Sequence, residues 1–390
     1  MICLIAKEIC SMAQKGRKVY RSKSRRRSSG RVGKKIIFVL FILCIIALAY
    51  VATEWIFSMI NAPDTGETTS SQTSSALEDG TVSGGEEEGA VAPAAQLGYT
   101  ALSMPQNILL DPTQWQGFLD SAKAQGYTAV TVTLKDGQGS LYYNSGVTRA
   151  VNNGAVVTGA VNAAQLCQTI EASGLTPIAR MGCFVDRYGS IGSDATFTSG
   201  GARLWQGTPN GENAFAYLDP YTDVARTYLV QIAQEIATAG FHTILLDDVA
   251  FPTGNVFTSA VINQHNTTGA TQAAILTQFV QEVQNGVASL NATAMPVGDA
   301  LSYLGINASQ YGGTFAGLSS NVAFTMDFAS LTAANGVAGY ETLDSAGVLT
   351  QLVGQVQAAG GNVTLLVSAA DYAAQQALFT GLNLSGIIVL

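Results

Sequence analysis

Residues 241–252, Phe-His-Thr-Ile-Leu-Leu-Asp-Asp-Val-Ala-Phe-Pro, constrain the fold of this chain more than any other stretch. Ile244, Leu245 and Leu246 form the continuous apolar run expected of a parallel strand covered on both faces. The run ends in two carboxylates, Asp247 and Asp248, and Pro252 stops it soon after. Upstream, residues 223–240 place Val224, Leu229, Ile232, Ala233, Ile236 and Ala237 at helical spacing, with Gly240 where a C-terminal cap belongs. A helix feeding a buried strand that ends in acids is the arrangement of an α/β-barrel active site.

The same alternation runs through the region that follows residue 98. Strands are expected at Tyr99–Met104, Ala129–Leu134, Thr176–Met181, Thr243–Asp247, Ala294–Asp299, Val322–Phe328, Val363–Ser368 and Gly386–Leu390. Helices are expected at 112–125, 162–173, 222–239, 271–290, 345–359 and 371–380. Eight strands over residues 98–390 fit one (β/α)8 TIM barrel. A doubly wound open sheet is the alternative, but no glycine-rich phosphate loop follows the first strand. The long connection 184–221 carries Tyr188, Trp205 and Tyr217, and long loops on this fold sit on the substrate side.

Charge divides the chain. Residues 1–60 hold 12 basic and 2 acidic side chains, and residues 61–390 hold 7 basic and 25 acidic ones, so +10 faces −18. An acidic folded part repels phosphates, which disfavours a nucleic-acid partner. Residues 1–35 read as a basic cytoplasmic tail suited to an anionic membrane surface. Residues 36–57 form an apolar run with a single charge, Glu54, long enough to span a bilayer as a single transmembrane helix. Basic residues before it and none soon after place the N-terminus inside and the remainder outside the cell membrane. A cleaved signal peptide competes with this reading, but the run is long for one and lacks a convincing small-x-small cleavage site. Residues 58–97, rich in Ser, Thr, Gly and Glu, read as a disordered tether.

Five cysteines (Cys3, Cys10, Cys44, Cys167, Cys183) show no metal-binding spacing, and Cys167 and Cys183 read as small buried thiols. His242 and His265 are the only histidines, so multi-histidine metal chemistry is not expected and no cofactor is called for.

Tyr217-Leu218-Asp219-Pro220-Tyr221, the helix after it, and the strand running from Gly240-Phe241 through Ile244 and Asp247 to Phe251-Pro252 resemble a glycoside hydrolase barrel family. That family was long catalogued only as a domain of unknown function, and its architecture is related to the alpha-amylase-like barrels. Looser matches are Lys135-Asp136, Gly139-Ser140-Leu141-Tyr142 and Pro177-Ile178-Ala179-Arg180. The chain departs from the family pattern at Ala250 (arginine), Leu245 (glutamine), Asp248 (tyrosine) and Thr133 (an acid). The resemblance implies hydrolysis of a polysaccharide or oligosaccharide without a metal.

Strand parity puts Asp247 on the face of Thr243 and Leu245, pointing into the barrel mouth, where a glycosidase needs a carboxylate. Asp299 and Asp327, each ending a strand, are its candidate catalytic partners; Asp299 could equally cap a short helix from Ala300. Asp248 reads as a loop-facing or substrate-binding acid. Arg180 and Lys135 lie in otherwise apolar strands and need carboxylate or substrate partners, with Asp247 and Asp136 the carboxylates at hand. Trp205 and Tyr188 could stack on sugar rings or act as hydrophobic pins. Asp219 stands where a helix cap would, and His265 in a polar surface loop. A membrane-anchored, extracytoplasmic glycoside hydrolase and a non-catalytic glycan-binding barrel are the two readings.

Overall fold

The computed structural model describes residues 98–207 and 214–390. Its sheet contains eight parallel strands: β1 (Thr100–Ser103), β2 (Ala129–Lys135), β3 (Thr176–Gly182), β4 (Thr243–Asp247), β5 (Thr293–Asp299), β6 (Val322–Thr325), β7 (Val363–Val367) and β8 (Gly386–Val389). Each pairs in parallel with the next, and β8 pairs with β1, so the sheet closes into a (β/α)8 barrel and the open-sheet alternative falls. Every strand read from the sequence is present.

Helices α1 (Trp115–Ala124), α2 (Ala163–Ala172), α3 (Asp223–Thr238), α4 (Gln272–Ala288) and α6 (Ser345–Ala358) pack around it, with the single-turn α5 (Ala300–Tyr303) between α4 and α6. The expected helix over 371–380 is two short ones, α7 (Ala369–Ala374) and α8 (Gln376–Gly381). Between β5 and β6 only α5 and a turn of 3-10 helix at Ser309–Tyr311 stand where a full crossover helix is usual. An annex not foreseen in the sequence hangs from β2: Leu141–Tyr143 runs antiparallel to it and pairs in parallel with Val156–Val161.

The barrel interior is one cluster to which every strand contributes: Ala101, Ala129, Ile178, Leu245, Val297, Ala323, Leu366 and Ile388. Ile244 and Leu246 lie instead in the outer core, with Leu229, Ile232 and Ile236 of α3. Burying each such side chain is worth about 1.5–3 kcal/mol, so the outer core fixes which way β4 faces. The parity read from the sequence therefore holds, and Asp247 stands above Leu245 at the top of the interior. Thr222 opens α3 by accepting from the Ala225 amide, and Gly240 leaves it at φ +106°, where a side chain would be strained. Cys167 and Cys183 are buried and unpaired with each other.

Among the described residues no helix is long and apolar enough to cross a membrane. The expected basic tail, membrane span at 36–57 and tether lie outside the described residues.

Candidate active site

The C-terminal ends of β2, β3 and β4 bring five charged side chains together. Arg180, two residues before the end of β3, reaches Asp247 across the adjacent strand, with Nε 3.0 Å from Oδ2 and Nη2 2.9 Å from Oδ1. This planar fork onto a carboxylate is the strongest neutralising contact a side chain offers. Both partners remain about one-fifth exposed, 20% for Arg180 and 19% for Asp247. Burial disfavours the Arg180 charge, but Asp247 and then Asp248 more than offset it and hold its pKa above the ordinary value.

Asp248 follows in the left-handed region at φ 56°, one of three non-glycine residues there among the described residues. That backbone turn keeps the Phe184 amide bonded to the Asp248 carbonyl at 3.1 Å while the side chain swings away from the strand direction. Its carboxylate lies against Gly137, where an added Cβ would come within 3.0 Å of Oδ2. It faces a cleft of ≈ 410 Å³ lined also by Asp136, Gln138, Val185, Gln206, Phe215 and Tyr217. Burial, and then the charge of Asp247, push the Asp248 pKa up to about 6, against the pull of Lys135 and Arg180. On the facing wall the Tyr217 hydroxyl donates to Gln206, and burial followed by the Asp248 charge raises its pKa to about 12. Asp136 in the same cleft is already satisfied: Oδ1 accepts from the Gln138 and Ser140 amides and Oδ2 from the Tyr142 hydroxyl.

Lys135 is engaged within the fold. It is fully buried, donates to the Gly182 carbonyl at 2.6 Å, and pairs at 2.9 Å with Asp186 rather than with Asp136. Asp186 in turn accepts from the Tyr188 and Gly189 amides, so a buried ion pair pins the start of the long loop beside β2 and β3. Gly139 makes this possible, because at φ +89° an added Cβ would lie 1.9 Å from Asp186 Oδ1.

Asp299 and Asp327 occupy less promising places. Asp299 is exposed and N-caps α5, its Oδ1 accepting from the Leu301 amide at 2.7 Å and the Ser302 amide at 3.3 Å. The β4–β5 register aligns Leu246 with Pro296, so Asp299 stands two residues further out than Asp247. Asp327 is exposed and accepts from the Ala329 amide in a tight turn. Buried Tyr311 feels both Asp299 and Asp248: desolvation first, and then their charges, raises its pKa. Asp219 is not the cap of α3, which is Thr222. It is fully buried, receives the Tyr221 amide on Oδ1, and holds His265 Nδ1 at 2.8 Å on Oδ2. Tyr188 and Trp205 lie half-buried on the long loop, with Arg203 over the Trp205 ring at 4.3 Å.

A larger cavity of ≈ 610 Å³ lies between the annex and α3, away from the strand ends. Its one carboxylate, Glu235, is consumed by the Tyr143 and Ser145 hydroxyls and the Gly146 amide, so the smaller cleft is the one with an acid free for chemistry.

Sequence missed Asp186 and the Asp219–His265 pair, whose partners are far apart along the chain, and it turned Asp248 toward the loop rather than the cleft. The signal for Asp248 was present as the paired Asp-Asp after the apolar run.

Residues 101–322 match the model of a family described as "Putative glycosyl hydrolase domain". Among solved structures, the chain is similar to the glycoside hydrolase domain of PgaB (BpsB) from Bordetella bronchiseptica. That likeness has TM-score 0.51 and 11% identity, over 76% of this chain and 94% of that one. It is also similar to alpha-L-fucosidase isoenzyme 2 from Paenibacillus thiaminolyticus, with TM-score 0.50 and 10% identity, over 75% of this chain and 46% of the fucosidase. At such identities these likenesses show the fold alone. No curated protein matches the chain.

Proposed function

Since this chain belongs to the glycosyl hydrolase domain family, we propose that it hydrolyses glycosidic bonds of a polysaccharide or oligosaccharide at the mouth above β4, with Asp248 as general acid and Asp247 as the ionised partner. The contrast between two adjacent carboxylates carries this reading. Arg180 grips Asp247 with both arms, whereas Asp248 makes no side-chain hydrogen bond among the described residues and faces the cleft with its pKa pushed up to about 6. A carboxyl that holds its proton toward neutrality, beside a carboxylate clamped by an arginine, puts a proton donor and a negative charge in one place. Asp248 would give its proton to the departing glycosidic oxygen while Asp247 stabilises the positive charge that develops on the sugar ring; water would then add its oxygen to the anomeric carbon and return a proton to the Asp248 carboxylate.

The test is turnover of a panel of polysaccharides by the wild type, Asp247→Asn and Asp248→Asn, with folding checked by circular dichroism. Both variants should be folded and inactive, and the wild-type rate should fall as pH rises above about 6. A fully active Asn variant at either position removes that residue from the reaction.

A second reading is a glycan-binding barrel without turnover. It is supported by the bidentate Arg180 clamp on Asp247 and by Ala250 where the resembled pattern has arginine. Glycan binding that survives replacement of Asp247, Asp248 and Asp299, together with a wild type that cleaves nothing, would establish it.

The basic head and the apolar run 36–57 support a cell-membrane anchor, with the 58–97 tether carrying the barrel outside the membrane. Membrane fractionation with protease added to intact cells tests this, since a barrel degraded only after lysis contradicts it.

A further inference from the structure

Seven basic side chains lie between residues 98 and 390, against eighteen acidic ones. With so many carboxylates available, an unpaired cation needs a reason. Lys135, Arg149, Arg180 and Arg226 each pair with a carboxylate, and Lys123 donates to the Ser173 carbonyl. Among the described residues Arg187 and Arg203 are the two arginines without a carboxylate partner, and they converge on one ring. The Arg203 guanidinium carbon lies 4.3 Å from the Trp205 centroid. That of Arg187 lies 6.0 Å from Trp205 and 5.9 Å from Tyr188.

Arg203 spends one nitrogen on the Arg187 carbonyl at 2.6 Å and the Ser190 hydroxyl at 2.9 Å. The side chain of Arg187 donates to no described residue. All four side chains are half-buried, so the two cations repel one another in a partly dehydrated place. Burial, and then the neighbouring Arg187 charge, hold the Arg203 pKa below its ordinary value. The group borders the cleft: the Arg187 amide donates to the Gln138 carbonyl at 2.9 Å, and Gln138 and Val185 both line the cleft.

We infer that Arg187 and Arg203, held on Trp205 and Tyr188, form a subsite beside the cleft that binds an oxyanion carried by the glycan, a sugar carboxylate or phosphate. Planar guanidiniums grip such groups with paired hydrogen bonds, and stacking on aromatic rings pre-orients them at little entropic cost. With Arg203 over its ring, Trp205 serves as a support for the cation rather than as an open shelf for a sugar. The subsite rests on the reading of the adjacent cleft as a glycan site and specifies its substrate class as an acidic polysaccharide.

The test is calorimetric titration of the full chain with three probes: oligogalacturonate for carboxylate, poly(glycerol phosphate) for phosphate, and a cello-oligosaccharide as the uncharged control. One anionic probe should bind at least about tenfold more tightly than the control, and the difference should shrink as salt is raised. Which anionic probe wins identifies the source of the charge. Arg187→Gln, which removes no side-chain hydrogen bond among the described residues, should abolish that preference with the melting temperature unchanged, and Arg187→Lys should restore it only in part. Equal affinity for charged and uncharged probes, or an anionic preference that survives Arg187→Gln together with Arg203→Gln, overturns the subsite. Turnover by the wild type separates the two readings: anionic preference in a chain that cleaves no glycan sinks the hydrolase and keeps the subsite, and turnover without anionic preference does the reverse.

Discussion

Replacing Asp248 by Asn should make the protein more stable at neutral pH while abolishing its chemistry. A carboxylate whose folded pKa is about 6, against an ordinary 3.8, binds its proton more tightly in the folded state than in the unfolded one. Folding stability contributed by this group is therefore greatest below pH about 4 and is lost as pH rises through about 6. Raising this pKa from 3.8 to about 6, at about 1.4 kcal/mol per tenfold change in proton affinity, means that ionised Asp248 costs up to about 3 kcal/mol at pH 7.5. Asn removes the charge, keeps the shape, and is at home in the left-handed conformation that residue 248 adopts. Urea unfolding of both proteins from pH 4 to 8 measures the effect. The variant should gain up to about 3 kcal/mol at pH 7.5, worth a melting-temperature rise on the order of 5 °C, and nothing at pH 4. A variant less stable than the wild type at pH 7.5, or one with the same pH slope between 4 and 6, refutes the half-buried acid in a left-handed turn on which the mechanism rests.

Arg180→Met leaves Asp247 unpaired at a site about one-fifth exposed, so the expected cost is about 2–3 kcal/mol, below that of a fully buried pair. Because Arg180 lowers the Asp248 pKa, its loss should also move the high-pH limb of activity upward; an unmoved limb in a folded variant disconnects the two groups. Lys135→Met strands the fully buried Asp186 and should cost about 3–5 kcal/mol in urea unfolding, and a loss under 1 kcal/mol would show that water reaches the pair. Asp299→Ala should cost about 1 kcal/mol, the worth of an N-cap, with turnover kept within about tenfold; a folded variant without turnover restores Asp299 as the partner acid.

The barrel was legible because its information is local. Each strand is a short apolar run, each long helix carries a 3.6-residue stripe, and in β4 the alternation of Ile244 and Leu246 against Leu245 sets the direction of Asp247. The site was only half legible because its decisive contacts are non-local. Nothing near Lys135 announces that its partner is Asp186, fifty-one residues along and across a strand, and Asp136, beside it in sequence, is taken by its own loop amides and Tyr142. Nor does the sequence show that one of two adjacent aspartates continues the strand into a guanidinium clamp while the next turns left-handed toward a cleft.

That division also bears on how the departures from the family pattern fit the site proposed for hydrolysis. Arginine is missing at position 250, but Arg180, projecting from the neighbouring strand, supplies a bidentate partner to the acid that is kept. The tyrosine of the pattern is replaced by Asp248, which adds a second carboxylate where burial and the neighbouring charge raise its pKa toward neutrality. A decayed site would be expected to lose its acid or the charge that balances it. Here both are present, and the substitution next to them adds a proton-carrying group.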